Sequence, residues 1–321
     1  MLSAAAPDPR PVYCPVYRSV RDRSPDSVLR RPASQHRSRT GSGGRGGIRQ
    51  ERACGDQVLH VFGEWRRRRI LRRYAVRDPV WRAAVQACTL AKGLTPAEIA
   101  RLRDLTTLFL GGKRFYGGAG LEVTAQMTLS IAIQAAVPIL GLDSDWYRGW
   151  SSVIVYPGAF VARREERDEA GVVHRTRHAL MGEAWDGGPL VLSWENARPG
   201  DRPFGSGSNV VVHECAHKLD MLDGSANGHP PLHRGMDPGA WSETLMQAYD
   251  ALRGEIASGI TPSLDPYGAE NPAEFFAIAS EVFFDAPARL LRSHPGVYRQ
   301  FQTFYRQDPA TRRTGAREDP T

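Results

Sequence analysis

The sequence predicts an α+β fold, mostly helical with a small mixed or antiparallel sheet, and three observations carry that reading. Strongly apolar helical segments come first. A middle stretch of short β-prone runs, broken by Pro, Gly and Asp, follows. The C-terminal third then returns to helix, twice through an Asp-Pro or Asn-Pro start.

Organised sequence begins near Phe62, and the Arg-rich run Arg66 to Arg73 after Trp65 reads as a solvated helix face. The segment TPAEIARLRDLTTLFLGG is a well-signalled helix. Thr95 caps it, Pro96 occupies the first turn and Glu98 completes a capping box. Ile99, Leu102, Leu105 and Phe109 recur at helical spacing as its buried stripe, with Gly111 and Gly112 at its end. A second apolar helix is expected over Ala125 to Val137. Strands are expected at Val153 to Tyr156, Phe160 to Ala162, Val172 to Arg175 and Pro189 to Trp194, with a turn at residues 169–172. Helix resumes near Val210. Three more helices are expected near 238–257, 272–284 and 296–307, the first two opened by Asp237-Pro238 and Asn271-Pro272.

Composition sets the outer limits. Residues 1–58 are rich in Arg, Pro, Ser and Gly and poor in large apolar side chains, so they read as a disordered tail. Residues 59–308 form one folded domain in this reading, and 309–321 a C-terminal tail. The tail at 1–58 holds 11 Arg against 5 acids and so carries +6 of the chain's +7. A near-neutral body does not suit a nucleic-acid-binding domain, so no nucleic acid is expected as partner. The most apolar stretch, Leu129 to Leu142, is too short for a membrane span and contains Gln134 and Pro138, so no membrane partner is expected. Cysteines at 14, 54, 88 and 215 have no Cys-x-x-Cys spacing, and Pro interrupts the N-terminus where a secretion signal needs an apolar run. A cytoplasmic protein is the expectation.

The chemistry is concentrated in NVVVHECAHKLDML, residues 209–222. It contains His213-Glu214-Cys215-Ala216-His217, a His-Glu-x-x-His pattern. Residues four apart share a helix face, so both imidazoles can reach one zinc ion. Glu214, beside His213, is placed to take a proton from a zinc-activated water as that water attacks a carbonyl. Three valines before the motif and Leu219 and Leu222 after it predict a buried helix.

Two histidines leave a catalytic zinc one protein ligand short. Spacing leaves four candidates: Asp223, just beyond the motif; His229 and His233, in a Pro-Gly loop; and Glu274, 57 residues after His217. Glu274 also fits a capping box with Asn271, which would turn its carboxylate to the backbone. Outer hydrogen-bond partners for the histidines are sought in Glu281 and Asp220, though exposure at the surface is the expected fate of either taken singly.

From about Phe62 to Asp308 the chain resembles the glucose-regulated zinc metallopeptidases related to Mlc titration factor A, whose catalytic domain is similar to that of anthrax lethal factor. The resemblance rests on WRRRRILRRYAV, GEAWDGGPLVLSW, NVVVHECAHKLDML with its following Asp-Gly, DPYGAENPAEFF, and ASEVFF. It implies a zincin-like metallopeptidase domain of the gluzincin type. It further implies His213, His217 and Glu274 as ligands of one zinc ion, Glu214 as catalytic base and Tyr267 at the active site, where a phenol can donate to an oxyanion. It implies peptide substrates, with an aminopeptidase-type activity. Its alternative is a regulatory binding protein that sequesters a transcriptional repressor, with peptidase activity secondary. The run GPLVLSW with Trp194 is a candidate edge strand for pairing with an extended substrate.

Overall fold

A computed structural model describes residues 63–167, 173–180, 182–184, 187–199 and 205–314. The expected tail at 1–58 and the turn at 169–172 lie outside the described residues.

Helix α1 (63–73) carries the Arg run and packs on α3 (Pro96–Gly112), after α2 (Asp78–Ala87) has intervened in sequence. That packing explains Gly111. A Cβ there would sit 3.0 Å from the Tyr74 ring and closer still to Ile70. The α3 helix ends at Gly112, as the two glycines lead one to expect, with Lys113 as its C-cap. Its capping box forms as expected: Thr95 Oγ1 accepts from the Glu98 amide at 3.3 Å, and Glu98 accepts from the Thr95 amide at 2.9 Å. Leu102, Leu105 and Phe109 are buried, with Ile99 packed at the margin.

Helix α4 (Ala125–Ala136) is apolar nearly all round and lies inside the core. A mixed four-stranded sheet stands beside it, in the order β1 (Arg114–Gly117), β2 (Ser152–Tyr156), β6 (Leu190–Ser193) and β5 (Gly182–Ala184). Strands β1, β2 and β6 run parallel, and β5 pairs antiparallel with β6. Side chains alternate across the sheet. Val153, Val155, Leu190 and Leu192 face the main core, while Ile154, Tyr156 and Val191 gather with Phe160 on the other face. Strands β3 (Phe160–Arg167) and β4 (Val173–Leu180) form a separate antiparallel pair. The β6 strand lies between β2 and β5, so it is not an edge, and Trp194 begins the short helix α5 (Trp194–Ala197). The edge on that side is β5, whose three residues are too few to read from alternation.

Helix α6 (Val210–Asp220) is buried along its whole length, with α4, β5 and α8 (Pro272–Asp285) against it. Asn209 caps it by accepting from the Val212 amide at 3.0 Å. Between α6 and α8 the chain makes α7 (Pro238–Ala257) and a 3₁₀ turn at Pro266–Ala269. Helix α9 (Pro287–Ser293) packs on α8, and α10 (Pro295–Tyr305) covers α8 through an aromatic cluster of Phe276, Phe283, Phe301 and Tyr305. Residues of the expected C-terminal tail form helix α11 (Pro309–Thr314), where Arg312 bonds to Glu98 at 2.6 Å and to Gln307 at 3.2 Å.

Candidate metal centre

His213 and His217 lie one turn apart on α6, and both Nε2 atoms turn to one point, 3.2 Å from each other. Glu274, in the first turn of α8, meets them there. Its Oε2 lies 3.0 Å from His213 Nε2 and 3.3 Å from His217 Nε2. Among the described residues these three side chains are the group of His, Cys and acidic residues placed to hold a metal ion. The spacing fits. Tetrahedral bonds of about 2.0–2.1 Å to N and O place ligand atoms about 3.3 Å apart.

The capping question at Glu274 resolves by division of labour. Asn271 Oδ1 accepts from the Glu274 amide at 3.0 Å, so the cap is made. The Glu274 carboxylate, free of any reciprocal capping bond, points to the histidines. The other third-ligand candidates stay away. Asp223 is exposed beyond the end of α6. His233 Nε2 bonds the Phe304 carbonyl oxygen at 2.7 Å, and the His229 ring faces Trp241.

Electrostatics keep the three groups together. Burial works to raise the Glu274 carboxyl, but hydrogen bonding to His213 and His217 outweighs it and holds the group well below the usual carboxylate range. Burial likewise disfavours charge on His213, yet bonds to Glu274 and Glu281 raise its pKa well above the ordinary imidazole value. Lone pairs that attract a proton this strongly also suit a divalent cation. Among buried side-chain nitrogens and oxygens, His217 Nδ1 and Glu214 Oε2 have no hydrogen-bond partner.

Glu214 is only 3 % exposed and faces the cavity beside the ligands. Burial pushes its carboxyl up to about 8, with His213 opposing and Glu274 and Glu183 adding to the rise. The edge strand β5 lies directly on it. Tyr267 sits in the 3₁₀ turn before α8, 40 % exposed, with its ring centroid 6.3 Å from that of His213. All five residues named from the sequence, His213, Glu214, His217, Tyr267 and Glu274, line one cavity of about 690 Å³.

The surroundings hold residues that the sequence did not single out. Gly182, Glu183 and Ala184 of β5 form one wall. Glu183 is buried, and no local pattern marks a three-residue strand as part of a site. Glu281 and Asp220, which the sequence does offer as outer partners of the histidines although exposure is the expected fate of either taken singly, are 3 % and 0 % exposed. Glu281 Oε1 bonds His213 Nδ1 at 2.7 Å, and its Oε2 accepts from the Asn209 amide at the cap of α6. Glu281 lies seven residues beyond Glu274, two turns along the same face of α8, so one helix supplies both the third candidate ligand and the carboxylate that holds the His213 ring.

A buried helix carrying His-Glu-x-x-His, met by a Glu from a later helix and walled by a sheet edge, forms a group that could hold a metal ion, the arrangement of a metallopeptidase-like protein. The chain belongs to the family described as glucose-regulated metallo-peptidase M90, whose model matches residues 62–306. It is similar to Mlc titration factor A of Yersinia enterocolitica, 40 % identical over 235 residues that cover 72 % of this chain and 86 % of that one. Mlc titration factor A of Yersinia pestis is 39 % identical over the same shares. Among the described residues, no helix is long and apolar enough to cross a membrane.

Proposed function

We propose that the protein is a zinc-dependent peptidase of the gluzincin type, with His213, His217 and Glu274 as ligands, Glu214 as general base and Tyr267 as a donor to the reacting carbonyl. The observation that carries this reading is the convergence of two Nε2 atoms and one carboxylate oxygen within 3.0–3.3 Å of one another, beside a buried carboxylate that has an unpartnered oxygen. A zinc ion held there would supply Lewis acidity and lower the pKa of water toward neutrality.

The chain's own residues do the rest. Glu214 accepts the proton of the attacking water and passes it to the departing amine as the C–N bond breaks. The Tyr267 hydroxyl donates to the carbonyl oxygen as charge builds on it. Strand β5 offers a backbone edge along which an extended peptide can lie. Among the described residues the cavity wall includes Glu183 and Asp265 and no Lys or Arg, which favours a substrate presenting an ammonium group and so an aminopeptidase-type activity. Free, buried Cys88 and Cys215 accord with a cytoplasmic setting.

The test is hydrolysis of small peptide substrates by zinc-loaded wild type and by Glu214→Gln. Equal turnover by the two would remove the reading. A second reading has its own observation, the name of the relatives. Titration of a repressor related to Mlc would make binding the function and hydrolysis secondary. Binding of such a repressor by Glu214→Gln at wild-type affinity, with its biological effect retained, favours that second reading.

A further inference from the structure

Glu281 meets the second nitrogen of His213, but among the described residues no hydrogen-bond partner meets that of His217. A metal-bound imidazole coordinates through one nitrogen and carries a proton on the other, which then needs an acceptor. His217 Nδ1 is buried without a hydrogen-bond partner. Three residues further along the same helix, Asp220 Oδ1 is buried without one as well. Residues three apart on a helix are neighbours. The donor that coordination creates and the spare acceptor therefore lie on the same stretch of α6.

The other oxygen of Asp220 is engaged. Oδ2 accepts from the Asn227 amide at 2.8 Å and the Gly228 amide at 2.7 Å, which folds the loop after α6 back onto the helix end. This loop is part of the cavity, since Ala226 and Asn227 line it. Gly228 has φ +80, and a Cβ there would sit 2.5 Å from the Pro272 carbonyl oxygen, so the loop is pressed against the first turn of α8.

We infer that Asp220 is a positioning residue that joins the metal ligand His217 to the cavity-wall loop at Asn227 and Gly228. One oxygen receives the His217 Nδ1 proton, the other holds the loop. Binding of the ion then favours the carboxylate orientation that keeps the loop closed, and a closed loop favours the ring orientation that binds the ion. The inference rests on His213, His217 and Glu274 being the metal ligands.

The experiment uses the full chain with zinc alone. Zinc dissociation constants come from competition with a chelator, and exchange rates of the Asn227 and Gly228 amides are measured with and without zinc. The expected results are slower exchange at both amides in zinc-loaded wild type and roughly 10–100-fold weaker zinc binding by Asp220→Ala. An affinity within twofold of wild type in Asp220→Ala overturns the inference. Unchanged exchange on zinc binding in wild type overturns it too. If Asp220→Ala does not fold, Asp220→Asn decides. It offers one oxygen in place of two, so either zinc affinity or amide protection must fall; retention of both overturns the inference. A wild type that binds no zinc at all instead defeats the metal assignment beneath it.

Discussion

Gly182 in β5 and Glu214 in α6 are packed so closely that a side chain at the glycine has no room. A Cβ at Gly182 would lie 2.7 Å from Glu214 Cγ and nearer still to Oε1. The sheet edge thus fixes the position of the carboxylate proposed as base, from a strand of three residues. Gly182→Ala is expected to keep the metal and to lower turnover by roughly 10²-fold through displacement of Glu214. Overpacking should also cost about 1–3 kcal/mol of stability. Kinetics and metal content of the purified variant check this; wild-type turnover would mean that Glu214 has slack that the packing does not suggest.

Glu214→Gln should retain stoichiometric metal and lose activity. The amide keeps the shape and cannot accept the proton of the attacking water, and removal of general-base catalysis costs roughly 10²–10⁴ in rate. Metal analysis beside a turnover assay separates this from a structural role, under which the metal would be lost.

Chelation should abolish peptide hydrolysis, and zinc added back should restore it. The expectation follows from three converging ligand atoms whose spacing matches a tetrahedral ion. Hydrolysis that persists after complete demetallation would rule out the proposed chemistry.

Glu274→Ala should lose zinc affinity, and Asp223→Ala should not. The carboxylate of Glu274 lies against both imidazoles, whereas Asp223 is exposed past the helix end. Because the Asn271 cap accepts from the backbone of residue 274, alanine there leaves that bond in place, and the melting temperature in excess chelator should change little. Full zinc in Glu274→Ala with its loss in Asp223→Ala would reverse the ligand assignment.

Glu281→Ala should weaken metal binding roughly 10–100-fold without removing a ligand. It leaves His213 Nδ1 without its acceptor and the Asn209 amide without its carboxylate at the cap of α6. Chelator competition measures the first effect and a thermal melt the second. Unchanged affinity would show that the His213 ring is held by packing alone.

The parts of this site that lie within one helix are readable in the chain. His213, Glu214 and His217 follow from i, i+4 spacing and from the valines that bury the helix. Helices α3, α7 and α8 announce themselves through Thr95, Asp237 and Asn271 followed by Pro. Glu274 is ambiguous from spacing because its amide is capped while its carboxylate points to the histidines, two roles that one sequence pattern does not separate. Burial of Glu281 and Asp220 depends on which helix and loop arrive opposite them, and that is tertiary information. Strands β1 and β5 are four and three residues long and give no alternation to detect, so the wall formed by Gly182 and Glu183 is not visible. The edge role expected for GPLVLSW falls to β5 instead, since β6 is hydrogen-bonded on both sides.

Glu274 lies 57 residues beyond His217, with the whole of α7 in the interval. An ion held by these residues cross-links α6 to α8 and closes that interval into a ring, which a chain that has lost its fold cannot reproduce. Binding to the native form alone adds stability by mass action, about 2.7 kcal/mol when free ion stands a hundredfold above its dissociation constant. The abundance of the protein in a cell then follows the supply of metal, even where no peptide is being cut. Scarcity enlarges the unfolded fraction open to degradation, and repletion lengthens the lifetime of each molecule.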